Sequence, residues 1–210
     1  MRKGSLIVVS GFSGAGKGTI MKKLVKENED YALSVSMTTR NPRDGELHGV
    51  DYFFVTREEF ERTIAENGLV EYACYCGNYY GTPKTYVEQM REAGKNVLLE
   101  IEIQGAMKIK EAFPEAVLLF VMPPSAQILR DRLVGRGTET LEVIEQRLQR
   151  AVEEAAGIED YDYIVVNDDL DTCVEQVKNI VETAGFAAYR NLDFIEHVRG
   201  ELSSLLKGDQ

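Results

Sequence analysis

An α/β fold is what this sequence of 210 residues predicts, on three observations. Leu6-Ile7-Val8-Val9 leads through a glycine-rich loop into a helical pattern with Ile20, Met21, Leu24 and Val25 on one face. Later apolar runs, Val97–Leu99, Val117–Val121 and Tyr163–Val166, alternate with stretches of helical period, the pattern of strands linked by helices. Between the first helix and those runs, residues 35–83 carry short alternating segments and turn signals, and read as a small mixed-β insertion.

The first element carries the strongest chemistry. Gly11, Phe12, Ser13, Gly14, Ala15, Gly16 and Lys17 fit the opening positions of G-x-x-x-x-G-K-[ST]. Glycines let successive backbone N–H groups turn inward, and the following helix adds partial positive charge. Lys17 supplies a full charge for outer phosphates. The last motif position is Gly18, and the hydroxyl comes one residue later at Thr19. The bland alternative is a glycine-rich turn; strand before, lysine inside and helix after argue for a phosphate-binding loop.

Next comes a helix over about Thr19 to Glu29, then a strand-like segment, Tyr31–Ser36. The polar stretch Ser34–Val55, SVSMTTRNPRDGELHGVDYFFV, holds Arg40, Arg43, Glu46, Asp51 and Tyr52 among turn-forming Pro42, Gly45 and Gly49. It is either a solvated loop or an anion site, because arginines three apart can converge on one phosphate with forked donors. Thr56 reads as the N-cap of a helix with Glu59 at its third position. Leu69–Tyr75 reads as a strand carrying Glu71, and Gly77-Asn78 as the turn of a hairpin. A helix over Thr85–Ala93 stops at Gly94.

Val97–Leu99 ends in Glu100 and continues as Ile101–Gly105. An acid after a buried strand, downstream of a phosphate loop, points to Mg²⁺ handling; the plain alternative is a strand end meeting solvent. Helices are expected over Ala106–Phe113, Ser125–Val134 and about Glu139–Ala156. The last two carry Arg130, Arg132, Arg147 and Arg150, with Arg136 between two glycines in the turn that joins them. Some of these arginines serve surface ion pairs; Arg136 suits a flap that closes over phosphates. After Asn167-Asp168-Asp169, Asp171 or Thr172 caps a helix to Ala184. The tail places Phe194, Ile195, Val198, Leu202, Leu205 and Leu206 at helical spacing, a face that covers the core or meets a partner.

Composition narrows the classes. A net charge of −11 speaks against a nucleic-acid or anionic-membrane surface. No apolar run reaches membrane-span length, and the first strand begins too early for a signal peptide. Three cysteines without a framework spacing suit free thiols in a cytoplasmic protein. Cys74, Cys76 and His48 lack a fourth partner for a metal site.

SGFSGAGKGT, SVSMTTRNPRDGELHGVDYFFV, GNYYGTP, LEIEIQGA, GRGTET and IVVNDD, in that order, resemble the guanylate kinase family over about residues 4–184. The resemblance implies transfer of the ATP γ-phosphate to GMP, with Mg²⁺ accompanying ATP. It implies a P-loop NTPase core with a parallel sheet flanked by helices (residues 1–34, 84–124 and 160–210, with a helical tail from 186), a GMP-binding insertion (35–83) and a helical lid (125–159). By the same resemblance Ser36, Arg40, Arg43, Tyr52 and Tyr80 hold the GMP phosphate, and Glu71 and Thr82 read guanine. Glu46 and Glu102 order the arginines or touch base and sugar. Lys17, Arg136, Arg147 and Arg40 surround the transferred group. Gly11 through Thr19 cradle ATP, with Thr19 on the α-phosphate, Asn167 and Asp168 on the adenine side and Arg132 nearby. Partners are ATP and GMP, with a homo-oligomer through the C-terminal helix as a further option.

Three positions depart from the family pattern. Phe12 replaces a frequent proline. Gly18 removes a hydroxyl that would bind Mg²⁺, which leaves phosphates, water and Glu100 acting through water. Glu100 and Glu102 stand where aspartate is common. Two rival readings are a related kinase with another small phosphorylated acceptor and a non-catalytic interaction module of the same fold. The first should lack the Glu71–Thr82 pair; the second should have lost basic residues that are present here.

Overall fold

The computed structural model describes residues 3–75, 77–135 and 140–207. Five strands form the main sheet: β1 (Leu6–Gly11), β2 (Tyr31–Leu33), β7 (Asn96–Glu100), β8 (Val117–Met122) and β9 (Tyr163–Val166), in the order β2-β7-β1-β8-β9. Every pairing in it is parallel. Helices cover both faces, so the central strands are continuous apolar runs rather than alternating ones. Leu6, Ile7 and Val8, Leu98 and Leu99, and Leu118 through Val121 are each fully buried. The chain leaves β1 toward β2 on one side, and β7 connects to β8 across it. The reversal of strand order falls at the C-terminal end of β1, where open α/β sheets bind ligands.

Helix α1 (Lys17–Glu27) buries Ile20, Met21 and Leu24 as the sequence pattern requires. The insertion forms a second sheet, β4-β3-β6-β5, from β3 (Met37–Thr38), β4 (Phe53–Phe54), β5 (Leu69–Tyr75) and β6 (Asn78–Pro83). Helix α2 (Arg57–Ala65) starts at Thr56, whose side chain accepts from the Glu59 N–H, and it buries Phe60 against Tyr79, ring centroids 5.1 Å apart. Helix α3 (Lys84–Glu92) returns the chain to the main sheet.

Several expected boundaries move, α1 among them, which starts at Lys17 rather than Thr19. Tyr31–Ser36 keeps strand geometry only to Leu33, because the segment then turns away into the insertion. Helix α4 covers Ile103–Ala112, three residues ahead of expectation, with Glu102 at its N-cap; the alternation of Ile101–Ile103 looks like strand but belongs to the turn. The expected helix at Glu139 is α6 (Leu141–Ala155), capped by the Thr140 side chain, and α5 covers Ala126–Gly135. Helix α7 (Leu170–Ala184) is capped by Asp169 rather than Asp171 or Thr172, through a bond accepted from the Thr172 N–H. Asp169 immediately precedes the first helical residue, the position from which a short side chain reaches the N–H groups of the first turn.

The tail is tied down at Arg190, which donates to Ser5 Oγ at 2.6 Å and to the Glu115 carbonyl. Beyond it α8 (Leu192–Lys207) leaves Phe194, Leu202 and Leu205 at 67%, 57% and 70% exposure. Those three side chains of the tail's apolar spacing therefore do not cover the core. No helix among the described residues is long and apolar enough to cross a membrane.

Candidate active site

The loop after β1 is shaped from several directions. Ala15 N–H donates to the Phe12 carbonyl at 3.0 Å, and Lys17 Nζ folds back to the Gly11 and Phe12 carbonyls at 2.8 and 3.2 Å. The Phe12 side chain points into the core at 7% exposure, edge-on to Phe120 with centroids 5.1 Å apart. The Phe12 side chain thus packs on the core side of the loop, and its carbonyl is taken up by Lys17 Nζ and the Ala15 N–H. An aromatic anchor accounts physically for the missing proline, since each fixes the loop entry by a different means. Leu133 and Leu129 of α5 pack close over Gly14.

Two cavities adjoin at this loop. One of about 340 Å³ is lined by Ser13, Gly14, Gly16, Lys17, Gly18, Thr19, Lys22 and Glu100. The other, about 750 Å³, runs from Gly11, Lys17, Gly18 and Glu100 across to Ser36, Asp51 and Tyr52 of the insertion, and is roofed by Arg147 and Arg150 of α6. Ser13, Lys17, Gly18, Lys22 and Glu100 line both. Lys17 Nζ stands 4.0 Å from Glu100 Oε1.

The insertion presents an aromatic and cationic wall. Arg40 lies over the rings of Tyr52 and Phe54, at 5.4 and 5.8 Å, and Tyr52 meets Tyr80 edge-on with centroids 6.2 Å apart. Arg40 Nη2 donates to both oxygens of Glu46 at 2.9 and 3.0 Å, and the Arg43 N–H donates to Glu46 Oε2 at 2.7 Å. The Arg40 guanidinium, with the Arg43 amide behind it, holds the Glu46 carboxyl below its ordinary range. Glu46 thus orders Arg40, one of the two uses expected of it. Arg43 itself is exposed.

Glu71 and Thr82 come together from neighbouring strands: Thr82 Oγ1 donates to Glu71 Oε1 at 2.9 Å. Burial pushes the Glu71 carboxyl up from its ordinary value, against the opposing pull of the Thr82 hydroxyl and Lys108. Its second oxygen faces α4 at Gly105, where a Cβ would come within 3.6 Å. This pair is not part of the wall that carries Ser36 and Tyr52.

Glu102 lines the large cleft and accepts from Arg150 Nη2 at 2.7 Å, so it orders an arginine of α6, one of the two uses expected of it, and joins β7's exit to that helix. Arg147 Nη1 donates to Ser13 Oγ, which brings α6 onto the phosphate loop. Arg136 lies outside the described residues. Thr19 and Asp168 are exposed. The Asn167 side chain is buried and turned toward the loop, with its Nδ2 on the Ala15 carbonyl at 2.8 Å, while Arg132 Nη2 donates to the Asn167 carbonyl at 2.8 Å. Sequence reasoning missed both Arg150 as the partner of Glu102 and Asn167 as a support of the loop; each contact joins residues far apart in the chain, and no local pattern announces it.

The metal question turns on donors. Among the described residues no three His, Cys, Asp or Glu side chains gather, and near the loop Glu100 is the carboxylate, half-exposed. A Cβ on Gly18 would stand 3.7 Å from Glu100 Oε2, so a hydroxyl at that position would have lain beside the same carboxylate. This donor set fits Mg²⁺, which keeps several waters and binds through a carboxylate plus substrate phosphates; it does not fit an all-protein cage.

Sheet order, glycine loop and adjoining cavities define a P-loop α/β protein with room for a second ligand opposite the loop. The guanylate kinase family model matches residues 3–184. A guanylate kinase of Clostridioides difficile is 50% identical over 204 residues, 96% of this chain and 99% of that protein. One of Streptococcus mutans is 52% identical over 189 residues, 90% of each. The crystal structure of a guanylate kinase from Anaplasma phagocytophilum superposes with a TM-score of 0.71 at 34% identity, covering 90% of each chain. This chain belongs to the guanylate kinase family.

Proposed function

We propose that this chain transfers the γ-phosphoryl group of ATP to the phosphate of GMP. A GMP phosphate oxygen forms a bond to Pγ while the bond from Pγ to the β,γ-bridging oxygen breaks, giving GDP and ADP. The observation that carries this reading is that the loop cavity and the large cleft share Lys17, Gly18 and Glu100. A donor on the loop and an acceptor in the cleft would meet at those residues.

The roles follow from position. Residues 1–34, 84–124 and 160–210 serve as the core, 35–83 as the acceptor-binding region and 125–159 as the lid. Gly11 to Thr19 cradle the donor phosphates with backbone N–H groups. Ser36, Arg40, Arg43, Tyr52 and Tyr80 take the acceptor phosphate. Glu71 accepts from guanine N1–H and the 2-amino group, and the Thr82 hydroxyl, which has one proton, turns from Glu71 to donate to O6; adenine offers an acceptor where guanine has N1–H. Lys17, Arg147 and Arg136 neutralise charge on the phosphoryl oxygens and hold attacking and leaving oxygens in line. A phosphate acceptor that is already dianionic needs no strong general base. Mg²⁺ bound with ATP would add charge neutralisation, with Glu100 holding it through water. Helix α6 over the cleft excludes water, which limits ATP hydrolysis. Free thiols at Cys74 and Cys173 support a cytoplasmic setting.

A coupled assay offering ATP with GMP, AMP, UMP or ribose phosphates tests the reading. Turnover confined to GMP and its close analogues is expected. Turnover with a non-guanine acceptor refutes the specificity, and none with any acceptor refutes the enzyme.

A further inference from the structure

Asn167 follows β9 and is only 7% exposed, a polar side chain set into the core beside the phosphate loop. Its Nδ2 donates to the Ala15 carbonyl at 2.8 Å, across 152 residues of sequence. Its own backbone is held from two elements: the N–H donates to the Met122 carbonyl at 2.8 Å, and the carbonyl accepts from Arg132 Nη2 at 2.8 Å. Gly16 belongs to the same arrangement. It has φ +95°, and a Cβ there would stand 2.4 Å from Asn167 Nδ2. The amide fills the space that any side chain at position 16 would claim.

The consequence follows from peptide planarity. The Ala15 carbonyl and the Gly16 N–H lie in one rigid unit and point in opposite directions. Ala15 is fully buried, so its carbonyl cannot turn to water for a partner. An amide that grips this carbonyl fixes the direction of the Gly16 N–H, and Gly16 lines the loop cavity.

We propose that Asn167 is a positioning residue for the donor phosphates, holding the Ala15–Gly16 peptide so that the Gly16 N–H faces them, whatever base the donor carries. Arg132 acts one step back, keeping Asn167 in place from α5. The inference rests on the donor-site reading above. It differs from an adenine contact in one decisive respect: loss of Asn167 should weaken a ligand that has no base at all.

Inorganic tripolyphosphate is that ligand. Its affinity, and those of ATP and GMP, are measured by calorimetry with excess Mg²⁺ on the unaltered chain and on Asn167→Ala. In Asn167→Ala the peptide turns until the Ala15 carbonyl finds another partner, and returning it to the donor geometry on binding costs up to that of an unpaired buried carbonyl, a weakening of about tenfold, up to roughly a hundredfold. Tripolyphosphate and ATP should weaken by the same factor, with GMP unchanged. If ATP weakens and tripolyphosphate does not, Asn167 is a base contact and the proposal falls. If GMP weakens alongside both, the residue is merely structural and the proposal falls equally. Should Asn167→Ala fail to fold, Arg132→Met carries the test, with the same pattern expected at about threefold and the same refutations. If the unaltered chain does not bind tripolyphosphate, the donor-site reading itself fails first.

Discussion

Glu71→Gln is the most informative single change, because structure and chemistry give its size and its selectivity separately. The carboxylate uses Oε1 for Thr82 and leaves Oε2 open toward α4. Glutamine keeps the shape. Its amide nitrogen can donate to Thr82 Oγ1, since a hydroxyl accepts as readily as it donates, and its carbonyl can still face guanine. What is lost is charge assistance on the bonds from guanine N1–H and the 2-amino group. Bonds to charged groups contribute about 1.5–3 kcal/mol and neutral ones about 0.5–1.5, so the loss is roughly 1–1.5 for each. Together that is about 2–3 kcal/mol, or about a 30- to 150-fold fall in kcat/KM for GMP.

Stability should move the other way or not at all. Burial raises the Glu71 carboxyl, so in the folded chain its ionised form is disfavoured, and a neutral amide removes that cost. The assay is steady-state kinetics with each substrate varied in turn, beside a thermal melt. Expected are a large loss in kcat/KM for GMP, an unchanged KM for ATP and an unchanged or higher melting temperature. A collapse of ATP affinity with GMP affinity intact would refute the placement of the two sites.

Lys17→Ala should lower kcat by about 10³-fold while leaving the fold and GMP affinity intact; near-normal turnover in the same kinetic assay contradicts its role. Gly18→Ser meets no obstacle, since its Cβ comes only to 3.7 Å from Glu100. It should lower the Mg²⁺ concentration for half-maximal rate, and an unchanged Mg²⁺ titration would show that the loop hydroxyl plays no part. Acidification should raise KM for GMP before KM for ATP. On the proposed reading guanine is held by the ionised Glu71, and its raised pKa means that form is lost at a higher pH than for an ordinary carboxylate. The sign for stability is opposite: this group favours folding at low pH and loses that contribution as pH rises through its folded value. The acid limb for GMP should vanish in Glu71→Gln, and its persistence there would assign it to another group.

What was legible in the sequence is what local chain chemistry dictates. The loop at Gly11–Lys17 and the Thr56 cap are each set within a few residues and stand where the pattern puts them; the hairpin forms too, though Asn78 is already in β6, paired with Tyr75. The pairing of Glu71 with Thr82 was legible only through resemblance, since it spans the hairpin. Contacts between distant segments were not legible. Phe12 could have lined the cavity or entered the core, and only the position of Phe120 decides. Glu102 meets Arg150 because α6 crosses the exit of β7, 48 residues away. The start of α4 was misplaced because I-E-I alternates like a strand; its N-cap at Glu102 sets the start at Ile103.

Those distant contacts have a common target. The phosphate loop is held by Phe12 in the core, by Leu129 and Leu133 over Gly14, and by Asn167 at Ala15. Electrostatic stabilisation of a transferring phosphoryl group requires donors that do not reorganise as charge moves. A loop whose glycines leave it free to curl would be poor at this on its own, since glycine carries the largest conformational entropy. The same permissive residues that let the backbone approach phosphates therefore demand outside support. That support comes from β8, α5 and the end of β9, elements that carry no phosphate-binding signal of their own in the sequence. By contrast Arg147 and Arg150 reach the site from α6, a helix anchored on Ile144 and Ala151 but otherwise largely open to solvent. The division suits the proposed chemistry: fixed donors on the loop side, and cations on a solvent-facing helix, the kind of element from which lids are drawn.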